Sequence, residues 1–177
     1  MKKFLLILLV PLVVSAAAIA APNPASVAAH CKNLQRQAPS LFGASAQYTN
    51  LAACVAAKTV AAAQNTSNAA KACKAEQALG APAFAAKYAP NANGKNNDAK
   101  AMGACVSTTA KATTAAQQTA ELNAAKQCKH WRANATDFLT ANPTAVGKTF
   151  TQFYAKNKNG KNAFGKCVSI LAKAQHS

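Results

Sequence analysis

Acidic side chains are scarce in this chain. There are four, Glu76, Asp98, Glu121 and Asp137, against 20 Lys+Arg. No two of them are close in sequence. A carboxylate pair for acid–base chemistry is therefore not readable, nor are the clustered oxygens that calcium needs. Asp98 and Glu121 fall on one predicted helix, too far apart to act as a pair. Histidine is as rare: His30, His130 and His176. None stands beside an acid, and a cysteine nucleophile would need a free thiol, against which six repeat-matched cysteines argue. Cys128-x-His130 is the one spacing that suggests a metal. Its repeat counterparts, Cys31 and Cys73, lack a histidine two residues on, so zinc is not expected. No glycine-rich loop precedes a helix pattern, which removes the usual phosphate cradle. The reading is of a protein that is not an enzyme, with no catalytic residues, no metal and no cofactor.

Arginine is missing almost as completely. Only Arg36 and Arg132 are present, and the other cations are lysines. Arginine grips phosphate or guanine with a planar fork, whereas lysine is a compact hydrated charge. Basicity of this kind predicts attraction to anions without precise readout. Large apolar side chains are few beyond the N-terminus: a few Leu and Val, six Phe, three Tyr and Trp131. Much of the 51% hydrophobic fraction is alanine. Burial gains about 25 cal/mol per Å² of apolar surface, so an alanine core is a thin source of stability.

Long apolar runs occur once. Met1-Lys2-Lys3 is followed by the apolar stretch Phe4 to Ser15 and the small residues Ala16 to Ala21. That is the anatomy of a secretory signal, with Ala18-Ile19-Ala20 as the cleavage pattern. We expect a signal peptide over 1–20, bacterial-type export, and an extracellular protein over 21–177. No other run approaches the length that spans a bilayer. Without Lys2 and Lys3 the chain keeps 18 Lys+Arg against the four acids.

What the sequence has in place of a large core is cysteine. Cys31, Cys54, Cys73, Cys105, Cys128 and Cys167 read as three disulfides in an exported chain. They sit in a repeat. Asn68 to Lys74 matches Asn123 to Lys129 at six of seven positions. Tyr88 to Asn96 matches Tyr154 to Asn162 at seven of nine. Cys105 to Lys111 matches Cys167 to Lys173 at five of seven. A worn first unit keeps Cys31-Lys32, Phe42, Tyr48, Asn50 and Cys54-Val55. Three units result, at about 26–60, 68–111 and 123–173. Tyr88 follows its cysteine by 15 residues and Tyr154 by 26, a difference close to three helical turns.

The predicted fold class is all-α: a disulfide-stapled helical repeat of three two-Cys units joined by two long Ala-rich helices. One helix is predicted from about Ala99 to Ala133, free of Gly and Pro from Ala104 onward. Its inward seam is drawn through Cys105, Thr109, Ala112, Ala116, Ala120, Ala124 and Cys128. The other runs from about Asn50 to Leu79, weakened and kinked at Asn65-Thr-Ser-Asn68. Cys105 and Cys128 then lie roughly 35 Å apart on one helix and cannot bond. The same holds for Cys54 and Cys73. The pairs predicted are Cys31–Cys54, Cys73–Cys105 and Cys128–Cys167. Pro39, Pro82 and Pro143 mark breaks, and Asn93-Gly94 and Asn159-Gly160 mark turns. Phe42, Phe84, Tyr88, Phe138, Phe150, Phe153, Tyr154 and Phe164 are the expected core plugs.

The run Phe153-Tyr154 to Ala163-Phe-Gly-Lys-Cys-Val-Ser169 resembles a segment of uncharacterised secreted actinobacterial-type Cys-repeat proteins. The likeness is carried by the last unit, less by the middle one and least by the first. It implies export and a shared small fold, and carries no activity.

The candidate polyanion-binding residues are the lysines of the Asn-rich loops: Lys95 and Lys100, then Lys156, Lys158, Lys161 and Lys166. If the units stack, these form one cationic strip. The expected partner is an anionic polymer or surface: polysaccharide, envelope polymer or extracellular DNA. A structural or assembly module of the cell surface or matrix, and a membrane-active cationic factor, are the alternatives. Oligomeric state is not read from the sequence.

Overall fold

The structure, a computed structural model, describes residues 24–91, 97–155 and 160–176. The predicted export signal lies outside these residues, as do Asn93-Gly94 and Asn159. The described chain is helical: α1 Pro24–Gln37, α2 Leu51–Leu79, α3 Ala81–Tyr88, α4 Asn97–Ala133, α5 Ala135–Ala141, α6 Phe150–Tyr154 and α7 Ala163–His176. Short 3-10 turns occupy Pro39–Leu41 and Pro143–Ala145. No helix among the described residues is long and apolar enough to cross a membrane.

Local sequence explains the boundaries. Asn50 caps α2 by accepting from the Ala53 amide at 2.9 Å. Asn134 caps α5 through the Asp137 amide. Thr149 and Gln152 form a reciprocal capping box at α6. Pro39 and Pro143 open the two 3-10 turns, and Pro82 sits in the first turn of α3. Inside α2 and α4, alanine and long straight side chains favour the helix at every turn.

Three disulfides staple successive long helices. Cys31–Cys54 joins α1 to α2, Cys73–Cys105 joins α2 to α4, and Cys128–Cys167 joins α4 to α7. All six cysteines are buried. The bonds close within units because the straight helices between units hold the other cysteines apart.

The repeat is visible in the side chains as well. Phe84 and Tyr88 pack at 4.9 Å between ring centres, and Phe150 and Tyr154 at 4.9 Å. Phe42 and Tyr48 hold the same roles in the first unit at 5.5 Å. Each tyrosine hydroxyl donates to an acceptor: Tyr48 to Glu121, Tyr88 to Glu76 and Tyr154 to Asn142. Buried Tyr and Trp rings need such a handle for their polar end.

The units do not form a linear stack. α1 and α4 run parallel, and α2 and α7 run antiparallel to α4, as the cross-helix pairs show. The first and third units therefore meet at one end and share one core. That core contains Leu34, Leu41, Trp131, Phe138, Phe150, Phe164 and Val168. Phe138 is its hub, with Trp131, Phe150, Phe153 and Tyr154 around it at 5.6 to 6.5 Å. The second unit lies at the far end with a separate, smaller core. There Phe84 is the one large buried ring, among Ala69, Ala101, Val106, Ala110 and the Cys73–Cys105 bridge.

Two details of the sequence reading are corrected. The seam of α4 does not pass through Ala112 and Ala116, which are exposed. Steps of four residues drift by about 40° per step against a 3.6-residue turn. The inward line instead runs Val106, Ala110, Thr114, Gln117, Glu121, Ala124, Cys128, mixing steps of four and three. The second concerns Asn65-Thr-Ser-Asn68. α2 is one uninterrupted helix there. Asn65 Nδ2 donates to Thr114 Oγ1 at 3.1 Å and Gln117 Oε1 at 2.8 Å on α4. Thr66 Oγ1 returns to the Ala62 carbonyl at 3.0 Å. Polar residues that weaken an isolated helix here bridge two packed ones.

Candidate anion-binding surface and the buried ion cluster

Three of the four acids that look isolated in sequence are engaged in intramolecular pairs. Glu76 accepts from Lys87 Nζ at 2.7 Å and from Tyr88 at 3.0 Å. The Lys87 bond, then the Tyr88 bond, hold its carboxyl below the ordinary glutamate value. Asp137 receives His130 Nε2 at 2.7 Å. Glu121 is the most deeply engaged. It accepts from His30 Nε2 at 2.8 Å, Lys58 Nζ at 2.7 Å and Tyr48 Oη at 3.0 Å. His30 and Glu121 are 6% and 4% exposed, so this is a buried cluster. It ties α1, the turn before α2, and α2 itself to the middle of α4.

The electrostatics of the cluster favour the ionised carboxylate. Burial works to raise the Glu121 carboxyl's pKa. The His30 hydrogen bond and the Lys58 charge together outweigh it, and the group titrates below its ordinary 4.5. The Tyr48 hydroxyl is pushed far up by burial and by the adjacent Glu121 charge, so it stays a donor. A cavity of about 30 Å³ adjoins Glu121 and Lys58, lined also by Thr114 and Gln117. That volume suits a water molecule and is too small for a substrate. The cluster reads as an electrostatic clamp on the fold.

The sequence reading missed this cluster because its members are separated by 91 and 73 residues. A signal was nevertheless present. On the mixed three-and-four seam, Glu121 falls inward, and an inward acid on a helix requires buried partners. The seam drawn mostly in steps of four passed one residue beside it, at Ala120.

With three acids taken up in intramolecular contacts, lysine dominates the exposed charge. Lys32, Lys71, Lys74, Lys111, Lys126, Lys129 and Lys148 are exposed. Among the described residues, none of these seven makes an ion pair. Of the predicted loop lysines, Lys100, Lys161 and Lys166 are exposed, while Lys95, Lys156 and Lys158 lie outside the described residues. The structure does not bring the described three into one strip. Lys100 stands at the start of α4, whereas Lys166 precedes Cys167, which is bonded to Cys128 near the other end. At 1.5 Å per residue these ends are roughly 40 Å apart, several screening lengths at physiological salt.

One concave feature concentrates cations that the loop argument did not anticipate. Arg36 and Gln37 of α1 face Lys126, Lys129, His130 and Ala133 of α4 across an open groove of about 480 Å³. Residues 126, 129, 130 and 133 share one face of α4 through their three- and four-residue spacing. α1 lies beside that face, because the His30–Glu121 contact sets the two helices parallel one to two turns earlier. Compared with protein-family models, curated proteins and solved structures, the chain matches none.

Proposed function

We propose that this is a secreted, non-enzymatic cationic protein that associates with an anionic polymer outside the cell. The observation that carries the reading is the distribution of charge. The net charge is +16 over the whole chain, and three of the four acids are held in internal pairs. The field outside is of one sign, which concentrates polyanions and repels other copies of the protein. Three buried disulfides, matched to the six cysteines of the repeat, support an oxidising destination. The apolar N-terminal stretch supports export as its route.

Lysine spaced along α4, at 100, 111, 126 and 129, suits a linear partner. The helix spans about 55 Å at 1.5 Å per residue. Contacts of this kind are sequence-independent and salt-labile. The test is retention on immobilised anionic polymer at rising ionic strength, with the disulfides intact. Retention that falls steeply with salt is expected. Equal retention at low and high salt removes the proposal.

A further inference from the structure

The groove between α1 and α4 holds more positive charge than its position in the fold requires. Two parallel helices end beside it, α1 at Gln37 and α4 at Ala133. Each helix C-terminus carries about half a negative charge, so the two supply about −1. Arg36, Lys126 and Lys129 bring three full positive charges to the same space. Cations that merely complemented the helix ends would be satisfied with fewer. Asp137, which holds His130 at the groove's margin, contributes −1 more, so the surplus is about +1.

The two arginines of the described chain have different fates. Arg132 is engaged: Nη1 donates to Ser40 Oγ at 3.1 Å, and the guanidinium lies 4.9 Å over the Phe164 ring. Arg36 is exposed and makes no ion pair among the described residues. It lines the groove without a hydrogen-bond or ion-pair partner among the described residues. Gln37 is steadied by donating to Asn33 Oδ1 at 2.8 Å. His130 is steadied by Asp137, the one carboxylate at the groove's margin. The lining is thus a set of donors on two rigid helices, which the Glu121 clamp and the Cys31–Cys54 and Cys128–Cys167 bonds hold in place.

We propose that this groove is a discrete site for a terminal phosphate group, free or as a phosphomonoester, held by Arg36, Lys126 and Lys129. Such a group presents three terminal oxygens and close to two negative charges at neutral pH. Its three oxygens match in number the three cationic side chains that line the groove. A carboxylate offers two oxygens and one charge, and leaves one ammonium without an acceptor. A guanidinium fork adds paired hydrogen bonds that a lysine cannot make. The inference rests on the anion-binding reading above but assigns a place and a chemical group to it.

The experiment is an amide NMR titration of the full chain, disulfides intact, at constant ionic strength. The probes are inorganic phosphate, glucose 6-phosphate and glucuronate. Saturable shifts with both phosphates are expected, centred on residues 33–37 and 126–133. Glucuronate should bind about tenfold more weakly, and Arg36→Gln should weaken phosphate by a similar factor. Lys71→Gln/Lys74→Gln removes the same kind of charge far from the groove and should leave phosphate binding within about twofold. Shifts scattered over the surface, equal binding of glucuronate, or an Arg36→Gln protein that binds like wild type each overturn the site. Polymer retention is read separately. Loss of the phosphate site with salt-dependent retention intact defeats this inference alone.

Discussion

Replacing Glu121 by alanine removes the acceptor shared by three donors in the centre of the molecule. Lys58 is 24% exposed at its side chain and can turn partly toward solvent. His30 and Tyr48 are enclosed and cannot. Breaking a buried charge pair by removing one partner costs about 3–5 kcal/mol. Glu121→Gln keeps the shape and one acceptor, and should cost about 1–3 kcal/mol, the usual range for a weakened buried hydrogen-bond site. Glu121→Ala/Lys58→Met removes both charges, so it should be less destabilised than the two single losses added together. The assay is urea unfolding at pH 7 under non-reducing conditions, followed by far-ultraviolet circular dichroism. The same cluster predicts acid lability. The Glu121 carboxyl titrates below its ordinary 4.5 in the folded chain, so the unfolded chain takes up the proton first. Its contribution is complete above that ordinary value and fades as pH falls through the lower folded one. Glu121→Gln should flatten this limb of the pH–stability curve. A Glu121→Ala protein within about 1 kcal/mol of wild type, with an unchanged acid limb, refutes the clamp.

Four further expectations follow from the packing. Phe138→Ala empties the hub of the larger core and should cost about 3–5 kcal/mol in the same unfolding assay. Asn65→Ala strands the Thr114 and Gln117 side chains between α2 and α4 and should cost about 1–3 kcal/mol. Cys73→Ala/Cys105→Ala should cost about 3–4 kcal/mol in the chain-entropy account. The smaller core has one large ring, so that variant should open locally, with fast amide exchange in α3 and the first turns of α4 while the shared core stays protected.

Much of the fold was written in local sequence. Alanine and straight-chain residues without interior proline made α2 and α4 long, and their length excluded bonds between Cys54 and Cys73 or Cys105 and Cys128. Asn50 and the prolines at 39, 82 and 143 act within a few residues of themselves, so the boundaries beside them were legible. The Phe84–Tyr88 and Phe150–Tyr154 pairs lie four apart and belong to the helix that carries them. The helical period also chose an inward face for α4, once steps of three and four were mixed. It could not say what that face would meet. His30, Tyr48 and Lys58 come to Glu121 only because α1 runs parallel to α4 and α2 runs back along it. The packing of the first unit on the third likewise brings Arg36 to Lys126 and Lys129, and carries Lys100 to the opposite end. Hydrogen bonds within a helix depend on neighbours in the chain. The clamp and the groove depend on which helices lie side by side, and that was decided by tertiary packing.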